Sequence, residues 1–230
     1  MIDIHSHLLP NVDDGGDDIA ASLEILKQAY QQGVTDIILT PHYRDEWKEE
    51  CDLFEKFLKF EKQVKEQGIN INLYLGREIY IEKDYKKVLQ QEENATLNGT
   101  KYVLIEFDPA RETDIVNIVY EIARCGYTPI IAHVERYSYV SLDTVYEIKD
   151  AGGLIQVNAG EIVDSDSRAV KKLISKLFKH CLVDFVSSDA HCNRQYSMKK
   201  AYEKVLKKHG EDAAYTVFDY NAQSIIKGQS

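Results

Sequence analysis

The chain has 230 residues, of which 44% are hydrophobic and 29% charged, as is usual for a globular protein with one substantial core. Its formal net charge is −10, which disfavours nucleic acid as a partner because phosphate backbones are bound by clustered Lys and Arg. No secretory signal or bilayer-spanning apolar run is evident, and the four cysteines form no C-x-x-C pair. We therefore expect one cytoplasmic domain spanning 1–230, without membrane insertion.

Short apolar runs rich in β-branched residues alternate with longer helical segments along the whole chain. Strands are predicted at 2–4, 36–39, 71–75, 102–106, 128–132, 154–157 and 184–187. A first helix is predicted from Ile19, whose side chain shares an apolar face with Leu23, Leu26 and Tyr30, and it ends near Gly33. Further helices are predicted at about 46–67, 82–92, 114–125, 142–151, 169–181 and 195–209.

This regular alternation of seven strands with seven helices predicts an α/β fold. Strands that are separated by a helix run parallel and are joined by right-handed crossovers. A closed or nearly closed TIM-like barrel suits this order better than the alternative, an open sheet. No linker or internal repeat divides the chain, so the pattern predicts a single domain.

Potential metal ligands follow six of the seven predicted strands. The first are in His5-Ser6-His7, where two imidazoles one residue apart can both face the mouth of a barrel. The others are His42, Glu78, Glu106, His133, Asp189 and His191. Because active sites of parallel barrels form at the carboxyl ends of the strands, this placement predicts a metal site there.

Imidazole and carboxylate ligands together suit Mn²⁺, Zn²⁺ or Fe²⁺, and there are more of them than one ion can bind. Glu78, at the middle of the strand order, is the expected bridge between two ions. The turn Asp13-Asp14-Gly15 either offers further oxygen ligands or is a solvated turn before the first helix. The sequence therefore predicts a centre with more than one ion.

Two arginines lie near these residues in the sequence. Arg136 comes three residues after His133, and Arg194 comes three residues after His191. A guanidinium can bind phosphate oxygens bidentately and stabilise charge in a transition state, although a surface ion pair is a simpler role for either arginine. Asn158, after the sixth strand, either orients a ligand or water or bonds to backbone.

Motifs of covalent phosphatases and esterases are missing from the sequence. No cysteine is followed by five residues and then an arginine. The chain also has neither a G-x-x-x-x-G-K phosphate loop nor a G-x-S-x-G elbow. A side-chain nucleophile is therefore not evident, which leaves hydrolysis by water that metal ions activate.

Along essentially its whole length the sequence resembles the polymerase and histidinol phosphatase (PHP) superfamily. More narrowly, it resembles the bacterial tyrosine-protein phosphatases of capsule and exopolysaccharide operons, the CpsB/YwqE type. H-x-H followed closely by D-D-G discriminates this type better than either motif alone. The motifs that carry the resemblance are Ile2-Asp3-Ile4-His5-Ser6-His7, Val12-Asp13-Asp14-Gly15, Thr40-Pro41-His42, Gly76-Arg77-Glu78, Ile105-Glu106-Phe107, His133-Val134-Glu135-Arg136 and Ser188-Asp189-Ala190-His191.

The resemblance implies a single-domain, distorted TIM-like (β/α)7 barrel of the PHP type with three divalent ions, typically Mn²⁺. The implied ligands are His5, His7, Glu78 and Asp189 for the first ion, Glu78, Glu106 and His133 for the second, and Asp14, His42 and His191 for the third. The resemblance also implies that Arg136 binds the phosphate, with Arg194 as a second arginine for it.

The implied activity is that of a manganese-dependent protein-tyrosine phosphatase. Its implied substrate is the phosphotyrosine tail of a membrane-associated bacterial tyrosine kinase that controls polysaccharide export. One alternative is another PHP activity, on histidinol phosphate or on nucleotides and nucleic acids. A second is an amidohydrolase-like C–N hydrolase, but that family usually has a histidine where this chain has Asn158 and often a lysine where it has Glu106. A third, a binding protein without turnover, is disfavoured by the full ligand set.

Overall fold

The computed structural model describes residues 1–16, 18–43, 53–82, 84–91 and 94–228. Its strands are β1 (Ile2–Ser6), β2 (Asp36–Leu39), β3 (His42–Tyr43), β4 (Asn72–Leu75), β5 (Glu78–Tyr80), β6 (Tyr102–Glu106), β7 (Thr128–Ile131), β8 (Leu154–Asn158) and β9 (Phe185–Ser187). Its α-helices are α1 (Ile19–Gln31), α2 (Leu53–Glu66), α3 (Tyr85–Gln91), α4 (Ile115–Arg124), α5 (Leu142–Asp150), α6 (Ala159–Asp164), α7 (Arg168–Lys179), α8 (Met198–His209), α9 (Glu211–Tyr215) and α10 (Asn221–Ile226). A π-helix at Thr216–Tyr220 joins α9 to α10.

Polar side chains fix the starts of several helices. Asp18 accepts a hydrogen bond from the backbone N–H of Ala20 at 2.8 Å and caps α1. At the start of α5, Ser141 and Thr144 form a capping box, in which each side chain bonds to the backbone of the other. Such caps satisfy amide groups that have no partner inside the helix.

The strands pair in parallel, in the orders β1-β2-β4 and β3-β5-β6-β7-β8-β9. Only two residues separate β2 from β3 and β4 from β5, so the two sheets are continuous through the chain. The last strand is tied back to the first, because Asp189 N donates to His5 O at 3.0 Å and His7 N donates to Ala190 O at 2.8 Å. The result is a curled parallel sheet in which the carboxyl ends of the first and last strands meet.

Alternation along the strands produces two apolar layers. One set of side chains, including Ile37, Val103 and Val157, packs against the surrounding helices. The other set faces the interior of the curled sheet and contacts Ala222 and Ile225 of α10. That interior set consists of Ile2, Ile4, Ile38, Leu104, Ile130, Ala132 and Phe185, together with Leu97. The C-terminal helix thus seals the end of the interior opposite to the strands' carboxyl ends.

The sequence prediction placed the α/β fold and its longer strands correctly but missed β3 and β5. Both follow short interruptions, at Thr40-Pro41 and at Gly76-Arg77. Pro41 has no N–H to continue a ladder, which breaks the second strand into two segments. The bend matters for the site, because it brings His42 and Glu78 into neighbouring positions on paired strands.

The helix boundaries also differ in places. The predicted helix at 195–209 begins only at Met198, and α6, α9, α10 and the π-helix were not predicted. Residues 46–52 of one predicted helix, and Lys83 and Glu92 of another, lie outside the described residues. None of the described helices is both long and apolar enough to cross a bilayer.

Candidate metal centre

The candidate ligands that were predicted from the sequence lie together at the carboxyl ends of the strands. They form four overlapping groups, in each of which the ligand atoms lie within 4.8 Å of one another. The residues brought together are His5, His7, Asp14, His42, Glu78, Glu106, His133, Asp189 and His191. All of them are buried except Asp14, whose side chain is 58% exposed. Residues far apart in the sequence therefore share one polar cluster above the apolar interior.

Glu78 occupies the middle of this cluster. Its Oε1 lies 3.3 Å from His5 Nε2 and 3.0 Å from His133 Nε2. Its Oε2 lies 2.9 Å from His42 Nδ1 and 3.2 Å from His7 Nε2, although neither contact has the geometry of a hydrogen bond. A fully buried carboxylate oxygen without a hydrogen bond lowers the stability of the fold unless a nearby cation compensates for its charge.

The two histidines of the H-x-H motif provide a sharper test of whether a cation fits. The Nδ1 atom of His5 lies 3.2 Å from Gln156 Oε1, and that of His7 lies 2.7 Å from Asp13 Oδ2. Since both partners are acceptors, each Nδ1 carries a proton. Each neutral ring would then direct its Nε2 lone pair at the other, across only 3.0 Å. This arrangement requires a cation, either a metal ion or a proton.

Without metal, protons meet this requirement. Burial lowers the pKa of His7, but hydrogen bonds and charges from Asp13 and Glu78 outweigh it and raise the pKa well above its usual value. Burial likewise opposes the charge on His5, and the Glu78 and Asp189 charges raise its pKa. The site thus attracts positive charge at the position where the two Nε2 atoms face each other.

Three further donors, Glu78, His133 and His191, are in the ionisation states that metal binding needs. Burial raises the pKa of Glu78, but His5 and His42 hold it well below its ordinary value. Burial also lowers the pKa of both His133 and His191 to about 4, so these imidazoles are neutral at pH 7. Ionised carboxylates and unprotonated imidazoles together suit Mn²⁺, Zn²⁺ or Fe²⁺.

The sequence did not decide whether the acidic turn supplies metal ligands, and in the structure its two carboxylates, Asp13 and Asp14, have different roles. Asp13 Oδ2 accepts from His7 Nδ1 and also from the backbone N–H of His42 at 2.9 Å. Asp14 instead places Oδ1 3.6 Å from both His42 Nε2 and His191 Nε2. Asp13 therefore orients an imidazole, and Asp14 is the one positioned to act as a ligand. Gly15 is required beside them, because a Cβ there would lie 1.9 Å from His7 O.

Both predicted arginines reach the cluster through Asp189. Asp189 Oδ1 faces His5 and His7 at 3.6 and 3.4 Å, whereas Oδ2 pairs with Arg136 and, at 3.2 Å, with Arg194 Nη1. The side chain of Arg136 is about one-third exposed and that of Arg194 is half exposed. Two guanidinium groups thus lie at the edge of the cluster, open to an anionic ligand.

Comparison with known proteins agrees with this geometry. The family model for capsular polysaccharide synthesis, CpsB/CapC, matches residues 1–227. The chain belongs to the CpsB/CapC family. It is 32% identical over 239 residues to the tyrosine-protein phosphatase CpsB of Streptococcus agalactiae, which covers 99% of this chain and 98% of that protein.

A solved structure supports the same family assignment. The chain resembles a structure from a study of YwqE from Bacillus subtilis and CpsB from Streptococcus pneumoniae, described as metal-dependent tyrosine phosphatases. The TM-score is 0.91 at 30% identity, covering 100% of this chain and 96% of that one. A phosphotriesterase from Mycobacterium tuberculosis matches with a TM-score of 0.64 at 12% identity, over 100% of this chain and 94% of that one. The second likeness concerns the fold alone, an α/β fold with a curled parallel sheet of the TIM-barrel kind.

In this CpsB/CapC-family chain, Gln156 is a site residue that the sequence analysis missed. Its Oε1 accepts from the backbone N–H of His133 at 2.7 Å and lies 3.2 Å from His5 Nδ1. Its Nε2 donates to Asn158 Oδ1 at 2.8 Å, and Asn158 Nδ2 donates to Asp189 Oδ2 at 2.9 Å. One buried amide chain therefore orients three candidate ligands. The sequence did contain one signal for Gln156: it lies two residues before Asn158, and so on the same face of a buried strand.

Replacing Gln156 by leucine is expected to weaken metal binding by about 10–100-fold, as is typical when a group that orients a metal ligand is lost. Without the Oε1 acceptor, nothing selects the His5 tautomer whose Nε2 is free. Calorimetric titration of metal-free protein measures the change, with Gln63→Leu on α2 as the matched control. An unchanged metal affinity in Gln156→Leu would show that Gln156 only packs.

Proposed function

We propose that this chain is a metal-dependent tyrosine-protein phosphatase that binds three divalent ions, typically Mn²⁺. One observation carries the proposal: His5, His7, Glu78 and Asp189 meet, with five further donors, in a buried cluster flanked by two arginines. Relatives that align over nearly the whole chain are named tyrosine-protein phosphatases. The nearest-neighbour distances in the cluster, between about 3 and 4 Å, are those of side chains that face a common cation site.

The proposed ligand sets are those that the family resemblance implies, and side-chain contacts within 4 Å connect the members of each set. His5, His7, Glu78 and Asp189 would hold the first ion. Glu78, Glu106 and His133 would hold the second. Asp14, His42 and His191 would hold the third. When bound, the ions would polarise the phosphoryl group and activate a water for attack on phosphorus.

The protein's own side chains then bind and orient the phosphate. Arg136 and Arg194 exchange part of their contact with Asp189 for the phosphoryl oxygens, and a guanidinium binds two such oxygens at once. Asn158 and Gln156 keep Asp189 and His5 in place while this occurs. Because a tyrosine phenol has a pKa of about 10, its departure as phenolate needs little help from a general acid.

Arg136→Lys is expected to lower kcat/KM for p-nitrophenyl phosphate by roughly a hundredfold, the usual effect of losing one group that stabilises transition-state charge. Lysine keeps the charge but cannot bind two oxygens in one plane. Steady-state kinetics with metal content measured in parallel checks this. Arg124→Lys, on the surface of α4, is the control and should keep the activity of the unmodified protein. Equal kcat/KM in both variants would remove Arg136 from the phosphate site.

The wider setting is also part of the proposal. The substrate is the phosphotyrosine tail of a membrane-associated tyrosine kinase, which suits a family described by capsular polysaccharide synthesis. We infer a cytoplasmic location, a single domain over 1–230 and a (β/α)7 barrel of the PHP type with β2–β3 and β4–β5 as interrupted strands. Nucleic acid is the less favoured substrate, because a net charge of −10 disfavours binding to a phosphate backbone.

Comparison of substrates tests the proposal directly. With Mn²⁺ present, turnover of a phosphotyrosine peptide should exceed that of histidinol phosphate and of an oligonucleotide by at least about tenfold in kcat/KM. This preference would follow from the open, arginine-lined edge of the cluster, which accommodates a phosphate at the end of a protein side chain. Faster hydrolysis of either other phosphate ester would reassign the substrate, and hydrolysis of a cyclic amide without phosphatase activity would reassign the reaction.

A further inference from the structure

Positive charge is concentrated in one part of this acidic protein. Residues 168–209 contain 11 Lys and Arg residues but only 3 Asp and Glu residues, whereas the whole chain contains 28 and 38. Ten of these eleven lie on α7 and α8. Charge that is segregated in this way repels itself, and it raises the local concentration of anionic partners.

Most of the cations on α7 and α8 have no polar side-chain contact within the described part of the chain. None of the ten forms an ion pair with a described carboxylate, although Lys59, Lys62 and Lys65 on α2 all do so with glutamates on the same helix. Among the ten, Lys208 donates to Ser175 Oγ at 3.0 Å and Lys204 donates to Val163 O. Lys171 and Lys207 make no such contact through their side chains with the described residues. Their charge is therefore available to a ligand.

These lysines surround a groove of about 610 Å³. The short helix α6 packs against both α7 and α8 and forms one side of the groove. Ile174, Phe178 and Val205 form an apolar floor, and Lys171 and Lys207 stand at the rim. Glu161 and Asp164 line the side formed by α6, so the positive face is the one formed by α7 and α8. A recessed apolar floor with a cationic rim suits the side chains of an acidic peptide.

The groove is connected to the candidate metal centre along α6. A smaller cavity of about 360 Å³ lies at the start of α6 and is lined by Arg136, Arg194 and Glu161. Glu161 also lines the larger groove. The six residues of α6 span about 9 Å, which an extended peptide covers in about three residues. A chain whose phosphotyrosine contacts the arginines can thus reach the lysines.

We propose that the groove between α7 and α8 binds an acidic segment of the protein substrate, three or more residues from its phosphotyrosine. The proposal rests on the phosphatase function given above and adds a specificity element to it. A peptide is favoured over an anionic bilayer because the apolar side chains are recessed below the lysines, whereas insertion into lipid needs apolar groups that protrude. The groove thereby selects substrates by the charge around the phosphorylated tyrosine.

The test uses two phosphotyrosine peptides of equal length, one with glutamates three to six positions from the phosphotyrosine on both sides and one with glutamines there. At low salt the unmodified protein should hydrolyse the glutamate peptide with roughly tenfold higher kcat/KM, a preference that falls as salt screens it. In the double variant Lys171→Glu/Lys207→Glu this preference should disappear. Lys59→Glu/Lys62→Glu on α2, with the same change of net charge, is the control and should retain the preference.

Binding of the unphosphorylated glutamate peptide, measured by fluorescence anisotropy, separates this proposal from the proposed function. Binding that requires Lys171 and Lys207 supports the groove even if no phosphate ester is hydrolysed. Equal kcat/KM for the two peptides, or a preference that survives in Lys171→Glu/Lys207→Glu, overturns the proposal. So does lysine-dependent binding to vesicles containing phosphatidylserine combined with no binding of the peptide.

Discussion

Glu78→Gln is expected to lower kcat for phosphotyrosine hydrolysis on the order of a thousandfold, at the upper end of what the loss of one electrostatic group costs an enzyme. The carboxylate stands within 3.3 Å of three imidazole Nε2 atoms, from His5, His7 and His133. The amide removes one negative charge and points an N–H₂ group at nitrogen lone pairs. The variant should therefore lose metal and turnover together.

The fold should survive this change, because glutamine has the same shape and the apolar layers lie elsewhere. Circular dichroism and the melting temperature of the metal-free protein check this point. Glu147→Gln, on the exposed face of α5, is the matched control and should remain fully active. If Glu78→Gln kept its bound metal and more than about a tenth of the activity, Glu78 would not be the central ligand.

Removal of divalent ions is expected to have a comparably large effect. Exhaustive chelation should abolish hydrolysis, and Mn²⁺ should restore it, because the proposed attack on phosphorus depends on a water that the ions activate. A metal ion at a free concentration 100 times its dissociation constant stabilises the folded state by about 2.7 kcal/mol. For a chain of this size that corresponds to an increase in melting temperature of about 5–10 °C. Calorimetry with and without Mn²⁺ measures it.

The melting temperature of the metal-free protein should also depend on pH. Burial lowers the pKa values of His5 and His7, but the neighbouring carboxylates raise them by more. The metal-free folded state therefore keeps these protons at pH values at which the unfolded state has released them. Their contribution to stability is complete below about pH 6.5 and is lost as the pH rises through the raised values. The metal-free melting temperature should therefore fall as the pH rises through the raised pKa values of His5 and His7. With Mn²⁺ bound, the imidazoles hold no such protons and this decline should disappear. A decline that Mn²⁺ leaves unchanged would place the ions elsewhere.

Sequence patterns predicted most of this fold because they reflect strong local preferences. The strand at 36–39 and the strand at 102–106 have the predicted bounds, since each is a short buried run between turn residues. The short strands β3 and β5 could not be predicted, because two or three residues carry no periodicity. The C-terminal helices were missed for another reason: α10 packs its apolar residues into the interior of the sheet, a tertiary contact without a local signal.

The candidate site could likewise be predicted in part. Eight of its nine proposed ligands could be named because they lie at the ends of predicted strands, and parallel strands bring their carboxyl ends together. Asp14 was named only through the family resemblance. The separate roles of Asp13 and Asp14 could not be predicted, because neighbouring carboxylates in a turn differ only in direction. Gln156 and the groove between α7 and α8 depend on distances between distant segments, which the sequence does not contain.

Anomalous X-ray scattering at the manganese edge, from crystals grown with Mn²⁺, tests the central claim most directly. The account predicts three anomalous peaks inside the buried cluster, one of them within bonding distance of the Nε2 atoms of both His5 and His7 and two of them within bonding distance of Glu78. A cluster without peaks, with His5 and His7 protonated and still facing each other, would contradict it.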